Sequence, residues 1–446
     1  MFTKRSSDNP FLVKHLLRRA GFGTTPQELV YYQSLGYDRC LKTLLDPEKT
    51  DNSEFDNLIA NENFDFTRID DLKRWWIYRM TFSKRPLEEK MTLFWHGHFA
   101  TSNQKVTNPY AMYMQNSTMR QLGLGNFHAL LLAMTKDPAM ILWLDNQQNK
   151  KGEPNENYAR EVMELFSLGI GNYTEKDIKE SARAFTGWQT HPDGFFFNAK
   201  AHDYDSKTFL GQTGTFNGDD IIAIIVEQDA VGKFLAKKLC KYFAADEPTQ
   251  AILADVASAY KPRGDNIKQM LHVLFSHDDF KKNAYHAKIK SPAEFVIGSL
   301  KILQVSQLDN DCATLMSRMG QNLFEPPNVK GWDGGLAWIA TDTMMERFNF
   351  TSRLTQQKFD ALEGYMKPSV LIQNQGLSTP DETVNYFLNL LVDNDVAPST
   401  EPDLLTYFTT DSSGKPINPF QNDKLLDSKL RGLVHLIMTL PTYQFA

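Results

Sequence analysis

Between Pro154 and Trp188 the chain reads PNENYAREVMELFSLGIGNYTEKDIKESARAFTGW, two helices in immediate succession carrying its densest set of carboxylates, guanidiniums and amides. No Pro or Gly interrupts residues 156–168, and Gly169 and Gly171 follow the last apolar residue, so the spacing predicts a helix over 156–168 with a glycine stop. At roughly 100° per residue, Tyr158, Val162, Leu165 and Phe166 share one face, and Asn157, Arg160, Glu161 and Glu164 share the other. Leu168 falls on the polar face, which predicts that other protein covers it. Thr174 is placed to cap the second helix at the N–H of Asp177; Ile178, Ala182 and Phe185 form its apolar stripe, and Glu180 and Arg183 stand at pairing distance. A short Gly-containing turn between them makes this an αα-hairpin.

The rest of the chain repeats that grammar. Pro10–Ala20 ends at a basic Arg18–Arg19 step, Thr25-Pro26 with Glu28 writes a capping box, and Tyr37–Leu45 follows Gly36. Helices are also expected near 70–82, from 86 through the HGH motif, over 108–123, and over 127–135 and 140–144. Four more fall at 217–228, 230–243, 249–260 and 265–275, another begins at Ser291-Pro292, and a last runs over 425–440. Residues 46–65 and 368–419 carry weaker signals, and 322–335 holds too much Pro and Gly for a regular element. Two short apolar runs, 195–197 and 208–210, read as one β-hairpin. The fold class is therefore mainly α, a large multi-helix orthogonal or bundle-like array with one short β-hairpin near 195–210. It is taken as a single α-helical domain over 1–446 with a sub-boundary near 205–218.

Charge and cysteine usage remove several function classes. Lys and Arg number 48 against 54 Asp and Glu, interspersed, so nothing recommends a nucleic-acid partner. Cys40, Cys240 and Cys312 are odd in number and widely spaced, which favours buried free thiols over disulfides or a zinc ribbon. No segment is long and apolar enough to span a bilayer, and the N-terminus lacks the apolar core of a signal peptide, so the cytoplasm is the default expectation.

The hairpin phrase NENYAREVMELFSLGIGNYTEKDIKESARAFTGW resembles the signature of a large bacterial family known only as domain of unknown function 1800. So do HLLRRAGFG at 15–23, FWHGHFATS at 94–102, HDYDSKTFLG at 202–211, KSPAEFVIGSL at 290–300 and NVKGWDGGLAWI at 328–339. The resemblance brings no established activity. It implies a sulfatase-like partner encoded nearby, and relatives that look exported, from which this N-terminus departs.

No phosphate loop, dinucleotide fingerprint, His-Glu-x-x-His or nucleophile elbow occurs. Two readings of the polar residues stay open. In one, His96, His98 and His202 are metal ligands and Glu161, Glu164, Arg160 and Arg183 are catalytic, so that a polar inter-helix cleft holds a divalent ion for hydrolytic or oxidative chemistry. That reading needs the helix to end at Gly97, since imidazoles two apart on a continuous helix point about 200° away from each other. In the other, the same residues form salt-bridge networks that fix helix packing, and the chain is a non-catalytic assembly or accessory protein. A catalytic site would gather them round one cavity, whereas a scaffold would disperse them and expose an apolar patch.

Overall fold

The computed structural model describes residues 10–191, 194–305, 308, 311–356 and 366–446. Residues 1–9, on which the signal-peptide expectation partly rests, lie outside the described residues. Helices dominate, as their start signals dictate. The capping box at Thr25 forms in both directions, Glu28 N–H to Thr25 Oγ1 at 3.1 Å and Thr25 N–H to Glu28 Oε2 at 2.9 Å, and Ser291 with Glu294 repeats it. Among the described residues there are 24 α-helices and two short two-stranded antiparallel sheets. No helix among them is long and apolar enough to cross a membrane. The three cysteines are buried and unpaired with one another.

Contacts divide the chain into two compact units. The first gathers Met1–Gly36, Tyr285–Gln321 and Gly334–Ala446. Within it the Arg347 guanidinium is fully buried and ties three stretches of backbone and side chain together. It donates to the Trp338 carbonyl at 3.1 Å, the Lys290 carbonyl at 2.6 Å and Gln444 Oε1 at 3.2 Å. The stretch 368–419, read as weakly structured, holds the helices Pro368–Asn374, Pro380–Val392 and Thr400–Thr409. Val384, Phe387, Leu388 and Leu391 turn inward on the second of these; its amphipathic face was present in the sequence but obscured by neighbouring Pro, Asn and Asp.

The second unit is Tyr37–Ala284 with Asn322–Asp333. Trp75, Trp76 and Tyr78, on the helix Ile69–Phe82, are buried, so this aromatic run is core rather than a stacking surface. Glu89 is fully buried between Arg79 (2.7 Å) and Arg120 (2.7 and 2.9 Å). The two guanidiniums outweigh burial and hold its carboxyl down to about 2. The expected β-hairpin across 195–210 is replaced by two local ones. Strand β1 (Trp188–His191) pairs with β2 (Gly194–Phe197), and β3 (Lys207–Phe209) with β4 (Gln212–Gly214). Trp188 and the Leu210-Gly211 turn, where Gly211 takes φ +79° and Leu210 φ +45°, supply closer partners than the two apolar runs offer each other.

Candidate functional site

The central hairpin forms as Glu156–Glu164 and Glu175–Ala184. Its first helix is one turn shorter than expected. The chain leaves the helix at Leu165, and the Leu168 and Gly169 N–H groups both reach back to the Met163 carbonyl, at 2.8 and 3.0 Å. Leu168 is buried by this departure and not by a covered helix face. Thr174 caps the second helix as expected, accepting from the Asp177 N–H at 3.2 Å while Asp177 Oδ2 accepts from the Thr174 N–H at 2.8 Å.

The linker before the hairpin, polar by composition, is a buried asparagine brace. Asn149 Nδ2 donates to the Ala182 carbonyl at 3.0 Å, Asn146 Nδ2 to the Trp188 carbonyl at 3.0 Å, and Asn149 Oδ1 accepts from the Asn155 N–H at 2.9 Å. Both asparagines are fully buried, so their amides take over backbone groups that no helix or strand satisfies. Sequence reasoning passed over them, because isolated Asn residues in a polar run look like any surface loop.

Each expected metal ligand is committed to backbone. The helix Pro86–His98 does not stop at Gly97, so His96 and His98 point to different surroundings. His96 Nε2 accepts from the Phe324 N–H at 3.1 Å, with the rings of Trp76, Phe324 and Trp332 around it. His98 Nε2 donates to the Phe166 carbonyl at 2.9 Å, just past the hairpin's first helix; its Nδ1 has no hydrogen-bond partner among the described residues. Burial lowers both imidazoles to about 3, so both are neutral. His202 Nδ1 donates to the Thr186 carbonyl at 2.8 Å. Among the described residues, no three His, Cys, Asp or Glu side chains are grouped to hold an ion.

The loop Asn322–Asp333 explains why HGH and NVKGWDGG occur in one chain. Gly331 takes φ +82°, and a Cβ there would lie 2.2 Å from the Gly97 carbonyl oxygen, while Trp332 covers Gly97 from the side. Only glycine permits that approach. The loop therefore seals the end of the HGH helix.

The hairpin's charged residues fall into two separate clusters. At the far end, Arg183 Nε donates to Asp203 Oδ2 at 2.8 Å and its Nη1 to Glu180 at 2.9 and 3.1 Å. Glu180 Oε2 also accepts from the Thr208 N–H at 3.0 Å, and the buried Lys207 ammonium caps the Asp203 and Asp205 carbonyls at 2.5 and 3.0 Å. Arg183, Asp203, Glu180 and Lys207 thus clamp the HD loop and β3 to the second helix. At the near end, Arg160 makes a two-pronged pair with Glu175, at 3.0 and 2.9 Å. Beside it Glu164 Oε2 accepts from the Tyr173 hydroxyl at 3.0 Å. The Glu161 carboxyl is raised by partial burial and by Glu164, against Arg160 and Lys330. The same surroundings push the Tyr173 phenol up to about 12. The structure thus joins Glu161, Glu164 and Arg160 in one cluster, Arg183 and His202 in another, and leaves His96 and His98 in the core beneath. Tyr173, Glu180, Asp203, Lys207 and Lys330 complete these clusters; of these, Glu180 carried a signal through helical spacing to Arg183, and Asp203 and Lys207 through the HD motif.

Next to the far cluster lies an aromatic ribbon. Phe195, Phe196 and Phe197 on β2 are 37%, 42% and 39% exposed, and Tyr204 is 58% exposed. Phe197 meets His202 edge-on at 5.2 Å, and His202 meets Tyr204 at 4.7 Å.

No curated protein and no solved structure matches the chain. The family described as Protein of unknown function (DUF1800) matches over residues 15–445. Spanning all the motifs that build these clusters, that match shows that the chain belongs to the DUF1800 family.

Proposed function

We propose that the chain is a non-catalytic assembly or accessory protein, and that the central hairpin is a rigid frame presenting the β1–β2 aromatic ribbon to a protein partner. One observation carries the reading: Phe195, Phe196 and Phe197, side by side on β2, keep over a third of their surface exposed, on a strand paired with β1 and beside the HD loop that Arg183, Asp203, Glu180 and Lys207 clamp to the second helix. Exposed large aromatic side chains on a held surface are the anchors that protein interfaces use. The charged residues disperse into two ion-pair clusters and the imidazoles serve backbone groups, which is the arrangement of a frame. The sulfatase-like protein implied by the family resemblance is the partner to test. Co-expressed with it, the parent chain should co-elute on size exclusion, and Phe195→Ser with Phe197→Ser should abolish co-elution while leaving cooperative unfolding intact. Co-elution unchanged by that pair of substitutions, or absent from the start, would reject the proposal.

A second reading is favoured by Glu161. Its raised carboxyl, beside Glu164 and within reach of the Arg160 and Lys330 fields, suits a proton acceptor in hydrolytic chemistry. A hydrolase screen in which activity is lost in Glu161→Gln but kept in the Phe195/Phe197 variant would prefer this reading. Metal content of the parent beside His96→Ala/His98→Ala is the corresponding test of the metal-dependent form. Bound metal lost in a still-folded variant would revive it.

A further inference from the structure

Two strands make two outer edges, and the β1–β2 sheet treats its own differently. In an antiparallel ladder, successive residues turn their N–H and C=O groups alternately toward the paired strand and away from it. The Asn198 N–H donates to the Gly187 carbonyl at 2.7 Å, and the pair Gln189 with Phe196 keeps that phase. Phe196 therefore faces β1, while Phe195 and Phe197 face away. On β1 the outward residues are Trp188 and Thr190, and side-chain amides serve both. Asn146 Nδ2 donates to the Trp188 carbonyl at 3.0 Å. Gln147 Oε1 accepts from the Thr190 N–H at 2.7 Å, and its Nε2 donates to the Thr190 carbonyl at 3.1 Å, so this amide stands where the peptide of a third strand would. On β2 no described residue bonds the outward N–H and C=O groups of Phe195 and Phe197.

Natural sheet edges are blunted by lysine, by proline or by a cover. Gly194–Phe197 has no lysine and no proline, and its rings are exposed. A row of donors and acceptors at strand spacing is complemented by a second extended backbone; a helix, whose groups are bonded internally, does not match it. We propose that the protein partner adds a third strand to this sheet, an extended and uncharged apolar segment that pairs with the outer edge of β2. The proposal rests on the assembly-protein reading above and names how the ribbon is used. Phe195 meets Trp188 at 5.3 Å on one face of the sheet, and Phe196 meets His191 at 4.7 Å on the other. Rings on both faces select apolar side chains on both faces of the incoming strand, so the segment is a continuous apolar run and not an alternating one.

The test uses the whole chain co-expressed with the sulfatase-like protein and reads residue-resolved amide exchange beside two variants. Phe197→Pro deletes an outward N–H and leaves the inward pairing of Phe196, a placement proline tolerates on an edge. Phe197→Ala removes the same ring and keeps that N–H. Complex formation should slow exchange at the Phe195 and Phe197 amides by at least about tenfold, and Phe197→Pro should weaken binding about tenfold more than Phe197→Ala does. Co-elution of the two proteins with both amides still exchanging freely, or with the two variants binding alike, would overturn strand addition and leave the ribbon reading standing. Absence of co-elution would reject that reading and this proposal with it. Protection of the same amides in the isolated chain, rising with its concentration, would show a second copy on the edge and overturn the proposal. Should Phe197→Pro release the Phe196 amide and so open the hairpin, the exchange of Phe195 and Phe197 in the parent complex decides.

Discussion

Three buried groups in the second unit set how its stability answers to pH, and they do not pull the same way. His96 and His98 have folded values near 3, lowered by burial and, for His98, by Lys238 as well. Between there and the unfolded value of about 6.5 the unfolded chain binds the extra protons. Their stability is therefore present above about 6.5 and drains as pH falls, by up to about 1.4 kcal/mol per pH unit for each ring. Asp137 acts in the opposite sense. Burial raises its carboxyl to about 7, although it caps the helix Pro138–Trp143 through the Met140 N–H at 2.9 Å and accepts from Gln115 at 2.7 Å. Here the folded chain holds the proton, so stability is present below the ordinary carboxylate range and is lost as pH rises through about 7. Asp137→Asn keeps an acceptor for the cap and removes that loss. Urea midpoints of parent and variant should diverge between about pH 5 and about pH 7, by up to about 1.4 kcal/mol per unit, the variant gaining; parallel curves would show that Asp137 is already ionised in the fold. Glu89→Gln should cost about 3–5 kcal/mol at neutral pH, because Arg79 and Arg120 keep their charge with no carboxylate between them. A loss below about 1 kcal/mol would mean that water reaches the pair.

Helix starts were legible in the sequence and helix ends less so, for a physical reason visible in the central hairpin. A start is written in one or two polar side chains, and Thr25, Thr174 and Ser291 all cap where their residue types place them. An end depends on when the backbone finds a better partner. Residues 165–168 have helical propensity but unwind, because Gly169 at φ +77° closes the turn one residue early enough to bury Leu168. The β-hairpin failed as an expectation for a similar reason, since strand pairing is decided by the nearest turn and not by which runs are most apolar. Two substitutions separate these contributions. Thr174→Ala removes the cap alone and should cost about 1 kcal/mol. Gly169→Ala should cost about 1–2 kcal/mol, because an L side chain must enter the left-handed region and its Cβ would sit 3.1 Å from the Phe234 ring. Chemical denaturation reads both, and a Gly169→Ala variant as stable as the parent would show that the turn can close another way.

At the scale of the whole molecule, the sequence could show which residues are charged but not which are neighbours, and the first unit makes the reason plain. It is assembled from three separate stretches, and the pair that joins its earliest helix to its late ones, Arg18 with Asp393, spans 375 residues. No periodicity reports such a contact. The same limit hid the clamp of Arg183 on Asp203 and the meeting of His98 with Phe166; only their residue types were on view. Asp393 lies at the left-handed end of the helix Pro380–Val392, φ +56°, where Lys14, Arg18 and Tyr285 all converge on its carboxylate. The cations hold that carboxyl well below the usual range despite its burial, so its charge is a condition of folding there. Asp393→Asn leaves two buried cations facing an amide, a change worth about 3 kcal/mol or more. If this contact is what makes the chain's two ends one cooperative body, amide exchange in Pro10–Ala20 and in Pro380–Val392 should accelerate together, by the same factor of about a hundred. Acceleration confined to one of the two helices would show that each is held by its own packing, and that the ion pair decorates a contact made without it.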